Sequence, residues 1–141
     1  MVDSKKQLGL ICACAVWLSS AVELAAAKLS WLEQIQVETF AELREVERFQ
    51  LKAAEAFYTK GELAAAAAEY EKYITLYGSS PGGAYAQLMW SHCQVRQRRV
   101  YTAIRDGFRS VIDYWPESHE AALAAYMIGK CYKDAGELKN A

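Results

Sequence analysis

The sequence predicts an all-α protein in which an N-terminal export segment is followed by repeated pairs of helices. Three observations predict this fold class. Ala, Leu, Glu, Lys and Arg are abundant and only two prolines occur, which is typical of helical chains. The first 27 residues run from basic to apolar to small side chains. A spacing of 37 to 38 residues then recurs through the rest of the chain.

The totals are those of one compact domain. The chain has 141 residues, of which 53% are apolar, so it can bury a hydrophobic core. The chain has sixteen Lys and Arg residues and seventeen Asp and Glu residues, which gives a formal net charge of −1. The total charge therefore favours neither a nucleic-acid partner nor an anionic membrane, and any electrostatic function has to be local.

Residues 1–27 have the three regions of a secretory signal peptide. Lys5 and Lys6 precede an apolar run at residues 8–18, and small residues lead up to Ala25 and Ala27. Signal peptidases require small residues at these two positions, so cleavage is predicted after Ala27. Cleavage after Ala21 is a second possibility.

Two other interpretations of this segment stay open. Residues 8–27 have about the ~20 residues of a membrane span, although Glu23 would cost a few kcal/mol inside the bilayer. The sequence around Cys14 also loosely resembles a lipoprotein lipidation site, with Cys14 as the lipidated residue. All three interpretations place the lysines on the cytoplasmic side and the rest of the chain outside the cytoplasm, in the periplasm or cell envelope or anchored to the inner membrane.

Residues 28–46 are predicted to form a leading helix. Ser30 and Glu33 have the spacing of a capping box. An apolar stripe follows, made of Trp31, Leu32, Ile35, Phe40, Leu43, Val46 and Phe49. The stripe is interpreted as the cover for one end of the repeat array, with helical self-association as the alternative.

The repeat is visible in small residues, glycines and prolines. Small residues at the start of each copy are followed twelve positions later by alanine, in the pairs Ala54 and Ala66, Ser91 and Ala103, and Gly129 and Ala141. Gly61 and Gly136 are placed to end the first helix of a pair, and Pro81 and Pro116 follow the second. Small residues at these positions would let two antiparallel helices approach closely.

Apolar residues spaced by three and four predict the buried face of each second helix. In the first copy they are Leu63, Ala66, Ala67, Tyr70, Ile74 and Tyr77, and in the second Val100, Ala103, Ile104, Val111 and Tyr114. The second copy departs from the pattern, because Gln94, Arg98 and Gly107 replace the aromatic residue, the glycine and Tyr70.

This pattern resembles the tetratricopeptide repeat. The resemblance covers residues 47–141, as repeats at 47–83 and 84–121 and an incomplete one at 122–141, and the longer period looks like that of exported repeat proteins of the BamD and YbgF type. It implies antiparallel helical hairpins stacked in a short right-handed solenoid.

The resemblance also implies a concave peptide- or protein-binding groove lined by the first helices. Its residues would be Arg48, Glu55, Tyr58, Tyr85, Leu88, His92, Arg96, Tyr126, Lys130 and Lys133. Such a mixture of aromatic and basic side chains suits a peptide with apolar anchors and an acidic or carboxylate end.

The third hairpin is incomplete at Ala141, which leaves Ala125, Ile128 and Tyr132 short of cover. The sequence is consistent with a truncated array, with pairing to a partner or a second copy, or with a last helix that packs back alone.

The residues suggest no catalytic, metal or cofactor site. Cys93 and Cys131 are predicted to be small buried side chains, since equivalent positions on stacked hairpins lie ~10 Å apart, too far for a disulfide. His92 and His119 have no ligand set around them, and Glu45 and Glu47 are predicted on exposed faces. No phosphate loop or nucleophile elbow is present.

One charge feature stands out, a cluster of arginines at 96, 98, 99, 105 and 109. It is interpreted as a solvated helix end, with binding of acidic peptides, phosphate or lipid headgroups as the functional alternative. The sequence thus leads us to expect a non-enzymatic scaffold or adaptor of the bacterial cell envelope, in outer-membrane assembly, division or secretion. The alternative is an accessory segment of a longer protein, such as an enzyme with its catalytic domain downstream.

Overall fold

The structure is a computed structural model, and it describes residues 39–136. Within them every regular element is helical, which confirms the all-α prediction. The export segment with Ala25 and Ala27, the Ser30 capping box and residues 137–141 lie outside this range.

Five helices follow a short helical turn at residues 39–42. They are α1 at Glu45–Lys60, α2 at Leu63–Tyr77, α3 at Gly83–Arg96, α4 from Val100 to Tyr114 and α5 at His119–Asp134. Connections of two to five residues join them, and each helix packs against the next along the chain. No helix in the described range combines the length and apolar character of a bilayer-crossing segment.

α1 begins at Glu45, inside the segment predicted as the leading helix, where the carboxylate of Glu47 turns back to cap the first turn. The Arg44 backbone N–H donates to Glu47 Oε2 at 3.1 Å, and the Arg44 guanidinium binds the same carboxylate. The prediction of an exposed Glu47 is therefore wrong: its side chain is 2% exposed, and Arg44 holds the pKa of its carboxyl below the usual range. Glu45 is exposed, as predicted.

The core lies between the predicted helix faces. Ala54, Ala66, Ser91 and Ala103 are fully buried, so the small residues do stand where helices approach closely. Tyr70 and Val111 are also fully buried, whereas Tyr114 is 75% exposed and does not belong to the buried face. α2 and α4 end at Tyr77 and Tyr114, just before Pro81 and Pro116.

α4 departs from a regular α-helix. Its middle segment, Ala103–Phe108, is π-helical, between α-helical segments at Val100–Thr102 and Arg109–Tyr114. The carbonyl of Asp106 in this segment accepts from Gln87 Nε2 of α3 at 3.1 Å and from Ser110 Oγ at 3.0 Å. Side chains thus satisfy a backbone acceptor where the helical ladder is interrupted.

Three turns share one unusual backbone conformation. Gly61 and Gly136 both have φ of 79°, and Arg98, which replaces glycine in the middle copy, has φ of 63°. The Gly61 N–H donates to the carbonyl of Tyr58, and the Arg98 N–H donates to that of Val95. The turn at Arg98 therefore keeps the left-handed conformation without glycine, the residue that adopts it at no steric cost.

Arg98→Gly is expected to raise the free energy of unfolding by about 1 kcal/mol, because glycine removes the steric cost of the left-handed conformation. Arg98→Ala is the control, since it removes the charge but keeps the Cβ. Denaturant titration should show a gain for glycine alone. An equal gain for alanine would assign the effect to charge and contradict the backbone explanation.

Candidate functional site

The predicted groove residues lie on three helices. α1 carries Arg48, Glu55 and Tyr58, α3 carries Tyr85, Leu88, His92 and Arg96, and α5 carries Tyr126, Lys130 and Lys133. Contacts between these side chains link α1 to α3, and the charge of Lys130 acts on His92 of α3. The residues separate into a covered part and an open part.

The covered part is filled by the chain itself. We call residues 39–43 the leading segment. The Phe40 ring packs edge-on against Tyr85, with centroids 6.1 Å apart, and Leu43 is 4% exposed. Arg48 holds the segment in place, since its Nε donates to the Phe40 carbonyl at 3.1 Å and its guanidinium donates to the Leu43 carbonyl at 3.0 Å.

Two predicted groove residues consequently need correction. Tyr85 is 1% exposed and Leu88 is fully buried, so neither presents a surface to a partner in this structure. Burial of these apolar side chains against neighbouring residues is more favourable than exposure to water. For Tyr85 these neighbours include the Phe40 ring. Arg48 is engaged with the leading segment.

Glu55 organises the buried side of the same region. One carboxylate oxygen, Oε1, accepts hydrogen bonds from the hydroxyls of Tyr70 on α2 and Tyr85 on α3, the latter at 2.6 Å. Burial, followed by the Tyr85 and Glu55 neighbours, raises the pKa of Tyr70, and burial with Glu55 raises that of Tyr85. Both phenols therefore stay protonated and donate, and Glu55 joins three helices.

The open part combines exposed cations with aromatic rings. The guanidinium of Arg96 lies over the Tyr58 ring, 5.0 Å from its centroid, and is exposed to solvent. On α5, Tyr126 is 62% exposed, and Lys130 and Lys133 are exposed about one and two turns further on. We call Tyr58, His92, Arg96, Tyr126, Lys130 and Lys133 the basic–aromatic face.

The cations of this face are weakly engaged. Arg96 and Lys133 have no carboxylate within 4.0 Å among residues 39–136, and Lys130 lies 3.9 Å from Asp134 on its own helix. An exposed pair of this kind contributes about 0 to 1 kcal/mol. The charges are therefore available to an anionic group from outside.

His92 is the partly buried member of the face. Its ring packs edge-on against Phe108, with centroids 5.6 Å apart, and its Nε2 is buried without a hydrogen-bond partner in the described range. The repeat explains the missing partner. His92 and Gly107 stand 37 residues after Glu55 and Tyr70, so glycine occupies the position from which Tyr70 reaches Glu55.

His92 should make the protein less stable in mild acid. Burial, followed by the charge of Lys130, lowers its pKa from 6.5 to about 4. The unfolded chain thus binds a proton more readily than the folded one, so stability present at pH 7 is lost as the pH falls from 6.5 towards 4. We expect a loss of about 2 kcal/mol, measured by denaturant titration across this range.

The two histidines provide a matched pair for this measurement. His92→Leu should flatten the dependence on pH, whereas His119→Asn, at an exposed position, should leave it unchanged. If the free energy of unfolding of His92→Leu changed with pH as steeply as that of the natural chain, groups other than His92 would cause the loss of stability in acid.

The remaining arginines lie away from the basic–aromatic face. Arg98 and Arg99 are in the turn before α4, and Arg105 and Arg109 are exposed on α4 itself. Arg105 pairs with Asp106 at 2.5 Å and lies over the Tyr101 ring, 5.2 Å from its centroid. The sequence interpretation treated all five arginines as one cluster. Of the five, only Arg96 belongs to the basic–aromatic face, which α1, α3 and α5 form.

The two cysteines are buried and free, as predicted. Burial raises the pKa of the Cys93 thiol to about 12, so it is not a nucleophile at neutral pH. No group of three or more His, Cys, Asp or Glu in residues 39–136 could hold a metal ion.

Sequence reasoning missed two features of this region. It did not show that the leading segment covers Tyr85, or that Tyr101 joins Arg105 on the surface. The apolar stripe through Phe40 and Leu43 signalled an element that packs against the helices, but not its position.

Comparison of the chain with protein-family models, with curated proteins and with solved structures finds no match.

Proposed function

We propose that this chain is a non-enzymatic scaffold or adaptor that binds a protein partner through the basic–aromatic face. The proposed architecture is a short right-handed solenoid of tetratricopeptide-like hairpins, and the proposed location is the bacterial cell envelope. The location rests on the composition of residues 1–27, which have the regions of an export signal.

The repeat architecture has support from the spacing of equivalent features. The left-handed turn residues, at positions 61, 98 and 136, are 37 and 38 residues apart. The helices that precede these turns, α1, α3 and α5, begin at Glu45, Gly83 and His119. A chain that repeats its turns, its close helix contacts and its helix lengths at one period is consistent with stacked equivalent hairpins.

The observation that carries the function is the stacking of the Arg96 guanidinium on the Tyr58 ring. Arg96 contacts a ring of another helix and has no carboxylate among the described residues, so its guanidinium is oriented but not neutralised. An oriented guanidinium binds a carboxylate in a bidentate manner more strongly than a mobile one, because less side-chain entropy is lost.

The chemistry of the face indicates the kind of partner. Tyr126 offers an exposed ring for an apolar anchor, and Arg96, Lys130 and Lys133 offer positive charge. A peptide segment with an apolar side chain and an acidic or carboxylate end matches both. The covered part restricts this segment to the region of α3 and α5, because Phe40 and Leu43 already occupy the surface at Tyr85 and Arg48.

Site-specific photo-crosslinking in the source cell tests the proposal. A benzoylphenylalanine in place of Tyr126, in the full chain, should crosslink to one or two defined envelope proteins. The matched control is the same substitution at Tyr114, which is 75% exposed but lies on α4. Arg96→Ala should abolish the Tyr126 crosslink.

Identical crosslinks from both positions, or a Tyr126 crosslink that survives Arg96→Ala, would contradict the proposal. Tyr85→Ala is unsuitable for this purpose, since a fully buried tyrosine that binds Glu55 affects folding as well as binding.

A further inference from the structure

The arginines that do not join the basic–aromatic face form a second charged surface. Residues 96–109 contain five arginines and one aspartate, whereas the whole chain has a net charge of −1. Positive charge is therefore concentrated here against an otherwise acidic molecule. We call Arg98, Arg99, Tyr101, Arg105 and Arg109 the arginine ridge.

The ridge is oriented outward by the packing of α4. The positions that α4 buries are Ala103, Ile104, Gly107, Phe108 and Val111. Tyr101, Arg105 and Arg109 follow each other at intervals of four on the exposed side, and Tyr101 is 72% exposed. Arg98 and Arg99 extend this row into the preceding turn and are also exposed.

The charges of the ridge are largely uncompensated. Among residues 39–136, Arg105 is the ridge arginine that pairs with a carboxylate, that of Asp106, and its guanidinium lies over the Tyr101 ring. Arg98, Arg99 and Arg109 have no carboxylate within 4.0 Å in the part of the chain that the structure describes.

The backbone of Arg98 is an independent observation. The equivalent turns carry glycine at φ of 79°, and nothing lies within 4 Å of a Cβ added to either. The turn at Arg98 thus keeps a large cationic side chain at a position where glycine would have a lower conformational energy. A strained residue that the fold does not require points to a role for its side chain.

We propose that the arginine ridge binds the surface of a membrane that contains anionic phospholipids. Guanidinium groups bind phosphate through paired N–H donors, and a tyrosine beside them suits the headgroup region. The ridge lies on the exposed side of α4, and no arginine lines the cleft beside it among the described residues, which includes Ser110, Tyr114 and Trp115. A partner for this long exposed row has to supply a broad negative surface, as a bilayer does.

Hydrogen exchange followed by mass spectrometry tests this on the full chain. With vesicles of equal parts phosphatidylglycerol and phosphatidylcholine, amides in residues 97–114 should exchange more slowly than with phosphatidylcholine alone. The readout is local, so membrane binding by the N-terminal segment does not interfere with it. Raising the salt from about 0.1 M to about 1 M should remove the protection, because the screening length falls from about 10 Å to about 3 Å.

A triple variant, Arg98→Gly, Arg99→Gln and Arg109→Gln, keeps the turn and the Arg105–Asp106 pair. The vesicle concentration needed for half-maximal protection should rise by about 10- to 100-fold, given the contribution of each basic residue near an anionic surface. The matched control is Lys52→Gln, Lys60→Gln and Lys72→Gln, which removes the same charge from exposed positions on α1 and α2 and should change little.

Equal protection with both vesicle types would overturn the proposal, as would an equal loss in the control variant. Protection of residues 97–114 by a polyglutamate peptide but not by anionic vesicles would also overturn it, in favour of an acidic protein partner.

Discussion

Replacing Glu55 with alanine is expected to lower the free energy of unfolding by about 3 to 5 kcal/mol. The substitution removes the acceptor of two phenol groups on different helices, Tyr70 on α2 and Tyr85 on α3. Both rings are buried, with exposed fractions of 0% and 1%, so water cannot easily take the place of the carboxylate. Denaturant titration of the full chain measures the loss.

The tyrosines supply the controls for this prediction. Glu55→Gln keeps an oxygen acceptor and should cost less than Glu55→Ala. In a chain that carries Tyr70→Phe and Tyr85→Phe, Glu55→Ala should cost much less, because no hydroxyl is left unsatisfied. A loss that is the same in both backgrounds would mean that Glu55 acts through other contacts.

The second large effect is expected at Gly107. Alanine for glycine inside a helix usually stabilises by about 0.5 to 1 kcal/mol, but here we expect a loss of about 3 kcal/mol. A Cβ on Gly107 would stand 2.8 Å from Ser91 Cβ and 3.3 Å from Ser91 Cα, and closer still to Ser91 Oγ. Ser91 is fully buried in α3 and cannot move aside.

Removing the opposing side chain should restore part of this loss. In a Ser91→Gly background, Gly107→Ala should cost at least about 1 kcal/mol less than in the natural chain, measured as a coupling in a double-mutant cycle. Stabilisation by Gly107→Ala alone would contradict the predicted clash.

The pair Glu55 and Tyr70 and the pair His92 and Gly107 stand at equivalent positions, 37 residues apart in the sequence. In the first copy Glu55 and Tyr70 form a buried hydrogen bond between α1 and α2. In the second copy His92 and Gly107 stand there, α4 approaches Ser91 closely, and the His92 ring packs against Phe108 instead. Gly107 thus accounts for two features: the close contact between α3 and α4, and the lack of a hydrogen-bond partner at Nε2 of His92 in the described range.

The division of the predicted groove changes what a partner would contact. With the leading segment seated on Tyr85, the proposed binding region shrinks from ten residues on three helices to the basic–aromatic face. Its charge comes from Arg96, Lys130 and Lys133. A partner that required the surface at Tyr85 would first have to displace Phe40 and Leu43.

Local sequence signals predicted the helices and their ends well. The spacing of apolar residues predicted α2 and most of the buried face of α4, and Gly61 marked the end of α1. These features depend on residues close together in the chain, through helix periodicity and backbone conformation. The same reasoning missed the π-helical segment of α4, which depends on Gln87 and Ser91 of another helix.

The candidate site was less predictable because exposure is not a local property. Tyr58, Tyr85 and Tyr126 were assigned to one surface from their places in the repeat. Their exposure differs because Phe40 and Glu55 cover Tyr85, whereas Tyr126 stays 62% exposed. The burial of Glu47 was missed for a related reason, since its carboxylate turns back to cap α1.

The sequence by itself determined that residues 39–136 are helical, where most helices end, and that small residues stand at the close contacts, because periodicity and turn chemistry act over a few residues. Only the tertiary structure decided which side chains are available. It placed the leading segment over Tyr85 and set the hydroxyls of two tyrosines on Glu55. It also turned Arg96 towards Tyr58, while Arg98, Arg99, Arg105 and Arg109 are exposed to solvent. Burial and charge pairing depend on residues far apart in the chain, and these meet only when the helices pack.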